Sequence, residues 1–93
     1  MIRTFADKAT LGLFTTGRFG RMPQDLARRA VRRLEYIDLA ARLEDLHVPP
    51  SNRLHALTGG RHGQYSIAVN DQWRICFRWF AGDAYDVELV DYH

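Results

Sequence analysis

Asn70-Asp71-Gln72-Trp73-Arg74-Ile75-Cys76-Phe77-Arg78-Trp79 decides the fold. Trp73, Ile75, Phe77 and Trp79 alternate with Arg74, Cys76 and Arg78, the two-residue period of a strand with one apolar face. Asn70-Asp71 are turn residues that tolerate positive φ, so the strand is entered through a hairpin. Before that turn Tyr65, Ile67 and Val69 alternate with Ser66 and Ala68. After the strand comes the turn Ala81-Gly82-Asp83, and then Tyr85-Asp86-Val87-Glu88-Leu89-Val90, where Tyr85, Val87 and Leu89 alternate with polar neighbours for most of the length, leads to Asp91-Tyr92-His93. Three consecutive strands joined by tight turns predict an antiparallel meander.

The first half of the chain supplies the cover. Met1 to Ala6, apolar at Ile2 and Phe5, reads as a short first or edge strand. Asp7 is placed to N-cap a helix that runs to Thr16 and stops at Gly17, with Ala9, Leu13 and Phe14 on one face. Pro23 suits the first turn of a second helix. There Leu26, Ala30, Leu34, Ile37 and Ala41 recur at threes and fours, an amphipathic pattern of about five turns. Its other side carries Arg28, Arg29, Arg32 and Arg33, with Arg42 further on, a solvated face or a docking surface for an acidic protein or RNA. Val48-Pro49-Pro50-Ser51-Asn52 ends the helical half in extended chain. Arg53 to Leu57 is a short extended piece and Thr58 to Gly63 a glycine-bearing loop. Two helices on one face of a twisted antiparallel sheet give an α+β domain of two layers, with the order βααβββ(β).

At 93 residues the chain is expected to be one domain, 1–93, since no linker divides it. No apolar run approaches the roughly 20 residues that span a bilayer. The N-terminal stretch lacks the apolar core and cleavage site of a signal peptide. The lone cysteine, Cys76, excludes an internal disulfide and a cysteine metal cluster, and suits a reducing cytoplasm. Net charge is only +2, yet Lys8 is the single lysine and the other cationic side chains are arginines, whose planar fork fits phosphate oxygens. The loop from Thr58 to Gly63 lacks the phosphate-loop pattern and opens no helix, so nucleotide binding there is not expected.

Chemistry concentrates on the sheet face away from the helices. If the helices cover the Trp73, Ile75 and Phe77 face, Arg74 and Arg78 point to the open one, near loops bearing His55, Arg61 and His62, a setting for an anion. Pattern alone leaves each arginine a second reading, pairing with Asp86 or Glu88 on the next strand. Cleaving RNA through its own 2′-hydroxyl needs a base, an acid for the departing 5′-oxygen and positive charge for the phosphorane. His55, His93, Tyr92, Asp91 and Arg74 are residues of the right types, provided the fold brings them together.

Several stretches resemble the HigB toxins of the RelE/ParE superfamily: Leu54-His55-Ala56-Leu57, Gly63-Gln64-Tyr65-Ser66-Ile67, the run from Asn70 to Trp79, and Gly82 to the Asp91-Tyr92-His93 ending. The resemblance covers nearly the whole chain. It implies a RelE-type ribonuclease fold and ribosome-dependent, metal-independent cleavage of messenger RNA in the A site. It implies a helix-turn-helix antitoxin of the HigA kind, with operator DNA reached only through that antitoxin. It assigns activity to His55, Arg74, Asp91, Tyr92 and His93, while Arg61, His62 and Arg78 are candidates for binding RNA phosphate. One departure is Thr58, where many relatives carry lysine, a loss of charge that lowers the rate or shifts its burden to Arg74. Two other functions are compatible with this superfamily: a ParE-like inhibitor of DNA gyrase that does no chemistry, and a weakened toxin retained as its antitoxin's partner in repression. A gyrase inhibitor has no chemical use for His55 together with Asp91-Tyr92-His93.

Overall fold

The computed structural model describes residues 1–92, and its core forms where the apolar periodicities meet. Helix α1 spans Lys8–Thr16 and α2 spans Gln24–Leu39. Strands β1 (His55–Ala56), β2 (Tyr65–Ala68), β3 (Trp73–Phe80) and β4 (Asp83–Asp91) follow in chain order. They form one antiparallel sheet in the order β1-β2-β3-β4, the expected meander with a two-residue addition. Both helices pack on one face, where Leu13, Ala30, Leu34 and Ile37 meet Ile67, Ile75, Phe77 and Val87, all fully buried. Among the described residues no helix is long and apolar enough to cross a membrane.

The local signals for α1 act as read. The Asp7 carboxylate accepts from the Thr10 amide at 2.7 Å, and Gly17 closes the helix at φ 79°, where a Cβ would be strained. The inward face differs, because Ala9 is exposed and Thr10 is buried instead. The Thr10 hydroxyl accepts from the Leu89 amide at 3.0 Å, which makes a buried polar side chain useful there. Helix α2 begins after Pro23 and ends before Ala41, so its apolar stripe is shorter than the periodicity suggests; Ala27 takes the inward position beside half-buried Leu26.

Other elements depart from the reading. Met1 to Ala6 makes no named strand; it touches β4 through isolated parallel bridges, Ile2 with Ala84 and Phe5 with Val87. The segment before the sheet is not simply extended, since Leu43–His47 and Pro50–Asn52 form 3-10 turns. Proline at the second turn's first position costs no hydrogen bond. The β2–β3 turn needs no positive φ at Asn70 or Asp71. Instead the Asn70 side chain accepts from the amides of Gln72 and Trp73 at 2.9 and 2.7 Å. Ala81 and Gly82 do take positive φ, 51° and 84°, and turn the chain tightly into β4.

The alternation of β4 is broken by a bulge. Cys76 faces Glu88 and Arg78 faces Tyr85, so two residues, Asp86 and Val87, oppose Phe77. Asp86 adopts φ 53° and its amide donates to the Thr4 hydroxyl at 2.8 Å. The inward residues are therefore Ala84, Val87 and Leu89, while Tyr85, expected among them, is only partly buried.

Asp83 anchors the N-terminal segment to β4. Its carboxylate meets the Arg3 guanidinium at 3.0 Å, and that hydrogen bond first of all holds its pKa below the ordinary 3.8. A carboxyl with a lowered folded pKa stabilises the fold above its unfolded pKa and loses that contribution as pH falls through the folded value. Asp83→Asn should accordingly lower Tm at pH 7, and the gap from the parent protein should close below pH 3.8 in thermal melts followed by circular dichroism. A gap that stays constant down to pH 2.5 would show that the pair contributes nothing through its charge.

Candidate functional site

The site is built from the face of β3 that the helices leave open. The two-residue period sends Ile75 and Phe77 inward and Arg74 and Cys76 outward. One row across the sheet reads His55, Ser66, Cys76 and Glu88, each paired with the next. Arg74 lies one outward position along β3 from that row.

Arg74 is held from three sides. Its Nε donates to the buried Ser66 hydroxyl at 2.8 Å, and one terminal amino group donates to the Arg53 carbonyl at 3.0 Å. Its guanidinium carbon lies 5.6 Å from the centre of the Tyr92 ring. Among the described residues no carboxylate pairs with it. Among the described residues two of its five N–H donors are used, and the others are open to a ligand. The Arg53 carbonyl reaches Arg74 from a residue at φ 50°, a left-handed conformation uncommon outside glycine.

These groups border an open cleft of about 430 Å³ lined by Arg53, Leu54, His55, Arg74 and Tyr92. His55 stands on β1 with an exposed side chain, held by its pairing with Ser66. Tyr92 lies just past β4, 46% exposed, its amide donating to the Gln72 carbonyl at 2.6 Å. A fixed guanidinium, an imidazole and a phenol around one polar cleft can receive an oxyanion and exchange protons with it.

The other candidate residues are placed differently. Asp91 is the last residue of β4, opposite Trp73, and its carboxylate accepts from the Gln72 side chain at 3.1 Å. It is not among the residues lining the cleft. His93 lies outside the described residues. Arg61 donates to Gln64 at 3.0 Å and pairs with Glu88 at 3.3 Å, so its charge is already matched. Arg78 pairs with Asp86 at 3.5 Å, the cross-strand alternative weighed from the sequence. His62 is exposed at the end of the Gly59–Arg61 turn, and Thr58 is exposed at its start. Cys76 is fully buried; burial raises its pKa, Glu88 adds to the rise, and Arg61 and Arg74 oppose it. A thiol kept protonated in this way is a small apolar side chain rather than a nucleophile.

Sequence reading passed over Arg53 and Ser66. Ser66 carried a signal, a hydroxyl on β2 at the outward register, within diagonal reach of Arg74. Arg53 carried none, because its part depends on a backbone conformation that composition does not reveal.

Fold and cleft together define a small two-layer α+β protein with an anion-receptive arginine on its open sheet face. The fold is shared with a chain of the YoeB–YefM complex from Staphylococcus aureus, at a TM-score of 0.64 over 100% of this chain and 98% of that one, with 13% sequence identity. The model of the HigB-like toxins, described as RelE-like toxin of type II toxin-antitoxin system HigB, matches residues 3–93. Endoribonuclease HigB of Proteus vulgaris is 38% identical over 93 residues, the whole of both chains. Toxin HigB-1 of Vibrio cholerae serotype O1 is 38% identical over 68 residues, 73% of this chain and 72% of that protein. The chain belongs to the HigB-like toxin family.

The contrast between the arginines is testable by growth. Arg74→Ala should relieve the growth arrest that follows induction without antitoxin, raising plating efficiency by at least about a hundredfold, the loss expected when one stabiliser of developing charge is removed. Arg78→Ala, which loses only an exposed ion pair, should remain toxic. Equal toxicity of the Arg74 variant and the parent would remove Arg74 from the site.

Proposed function

We propose that this protein is an endoribonuclease toxin that cuts messenger RNA in the ribosomal A site, without a metal, and so halts translation. It acts as one toxin unit over residues 1–93, in the cytoplasm. The observation that carries this reading is Arg74: a guanidinium held by a hydroxyl, a carbonyl and a ring, matched by no carboxylate among the described residues, beside His55 and Tyr92. Full-length likeness to Endoribonuclease HigB of Proteus vulgaris supports RNA as the substrate.

The chemistry is an in-line transfer at phosphorus. The ribose 2′-oxygen gives its proton to a base and attacks the adjacent phosphate, while the bond from phosphorus to the 5′-oxygen breaks. That oxygen takes a proton from an acid, leaving a cyclic phosphate and a 5′-hydroxyl. His55 and His93 exchange these protons, with Tyr92 and Asp91 orienting the scissile region or sharing the task. Arg74 offsets the charge of the phosphorane through its unspent donors. With Arg61 committed to Glu88 and threonine at position 58, that burden falls mainly on Arg74.

The partner of a toxin in a type II system is an antitoxin. A helix-turn-helix antitoxin of the HigA kind fills that place, and the pair meets operator DNA through the antitoxin. Ribosome and messenger RNA are the other partners.

Primer extension on translated messages after induction should find cuts inside A-site codons, and His93→Gln and His55→Gln should each reduce them by at least about a hundredfold. Purified protein should leave gyrase supercoiling unchanged. Cuts of undiminished strength in His93→Gln would remove that residue from the mechanism, and inhibition of gyrase with no cuts would overturn the proposal.

A further inference from the structure

We infer that a groove beside the cleft is a second phosphate subsite, which takes a flanking phosphodiester of the RNA strand whose scissile phosphate meets Arg74. This rests on the function proposed above and adds a binding site to it. The groove, about 430 Å³, runs between α2 and the β2–β3 turn and is lined by Arg29, Arg33 and Arg53 with the chain from Ala68 to Asp71. Arg53 lines both the groove and the cleft.

The three arginines are prepared for an anion. Arg33 donates its Nε to the Ala68 carbonyl at 3.0 Å, and its guanidinium carbon lies 5.6 Å from the Tyr36 ring centre, which fixes the plane; among the described residues its terminal amino groups have no acceptor. Arg29 is exposed and makes no ion pair or side-chain hydrogen bond among the described residues. Arg53 spends its carbonyl on Arg74, and among the described residues its own guanidinium has no partner. Asp71 also borders the groove, but it lies within ion-pair distance of none of the three, and the balance stays positive.

The shared arginine selects the ligand. A single strand with one phosphate at Arg74 must carry its next phosphates away across the protein surface, and Arg53, which borders the cleft, also lines the groove. An acidic protein segment would need no such continuity with the cleft. Planar guanidinium forks also match the geometry of phosphate oxygens.

The test uses the full chain on ribosomes programmed with messages that carry one uncharged methylphosphonate linkage at a time near the cut. Arg29→Gln is the variant of choice, since Arg29 has no bond whose loss would disturb folding; exposed Arg28→Gln is the control. The toxin concentration for half-maximal cleavage should rise about three- to tenfold in Arg29→Gln, the cost of one ordinary hydrogen-bonded contact at an exposed site, and stay unchanged in the control. At one linkage the neutral substitution should weaken cleavage by the parent toxin by the same factor and cost Arg29→Gln nothing further. An unchanged Arg29→Gln overturns the subsite. Losses that add at every linkage also overturn it, because Arg29 then meets ribosomal RNA or an acidic protein instead. Failure of the parent toxin to cut any programmed message would overturn the proposed function itself, and this inference with it.

Discussion

The pairing of β3 with β2 and β4 fixes a strand between two unlike environments, and most of the molecule follows from it. Ile75 and Phe77 are fully buried under the helices, each stabilising the fold by about 2 kcal/mol through the area it withdraws from water. The same backbone geometry turns Arg74 and Cys76 to the other side. A slip of one residue would drive Arg74 into the apolar core and put Ile75 on the open face, a loss no surface contact would offset. The apolar packing therefore sets the position of the cleft, although none of its charged groups takes part in that packing.

What surrounds each arginine decides what it is free to do. Arg61 and Arg78 have carboxylates as partners, and a charge so matched has little left for a ligand. Arg74 is held with equal definition by neutral groups, a hydroxyl, a carbonyl and an aromatic ring. These orient the guanidinium, and among the described residues no carboxylate compensates its charge. In a HigB-like toxin this is a sound division of labour: the paired arginines tie strands and loops together, and the unpaired one faces the open cleft.

The two-layer fold was legible because helix ends and strand faces depend on neighbours close in sequence. Asp7 and Gly17 announce α1, and the Trp73 to Trp79 alternation announces β3. Misreadings arose where a distant residue intervened. Thr10 is buried because Leu89 needs an acceptor, and nothing within the helix indicates that. The bulge at Asp86 is hidden by a sequence that alternates evenly from Tyr85 to Leu89; the added residue follows from the left-handed turn of Asp86, whose amide meets Thr4. The cleft was legible in its residue types, His55, Arg74 and Tyr92, since residues of one sheet face are fixed by register. The joint role of Arg53 and Ser66 was not, because it depends on how a loop carbonyl and a neighbouring strand reach one guanidinium.

The contacts of the N-terminal segment have a consequence for recognition. Strand β4 ends the sheet, and its outer backbone groups are met by Arg3 and Ala6 amides, by Met1 and Thr4 carbonyls, and at Leu89 by the Thr10 hydroxyl. The opposite border, β1, is two residues long. Among the described residues the sheet thus offers no long unpaired edge on which a foreign strand could add itself. A truncation that removed the N-terminal segment would uncover a hydrogen-bonding template that the intact chain keeps occupied.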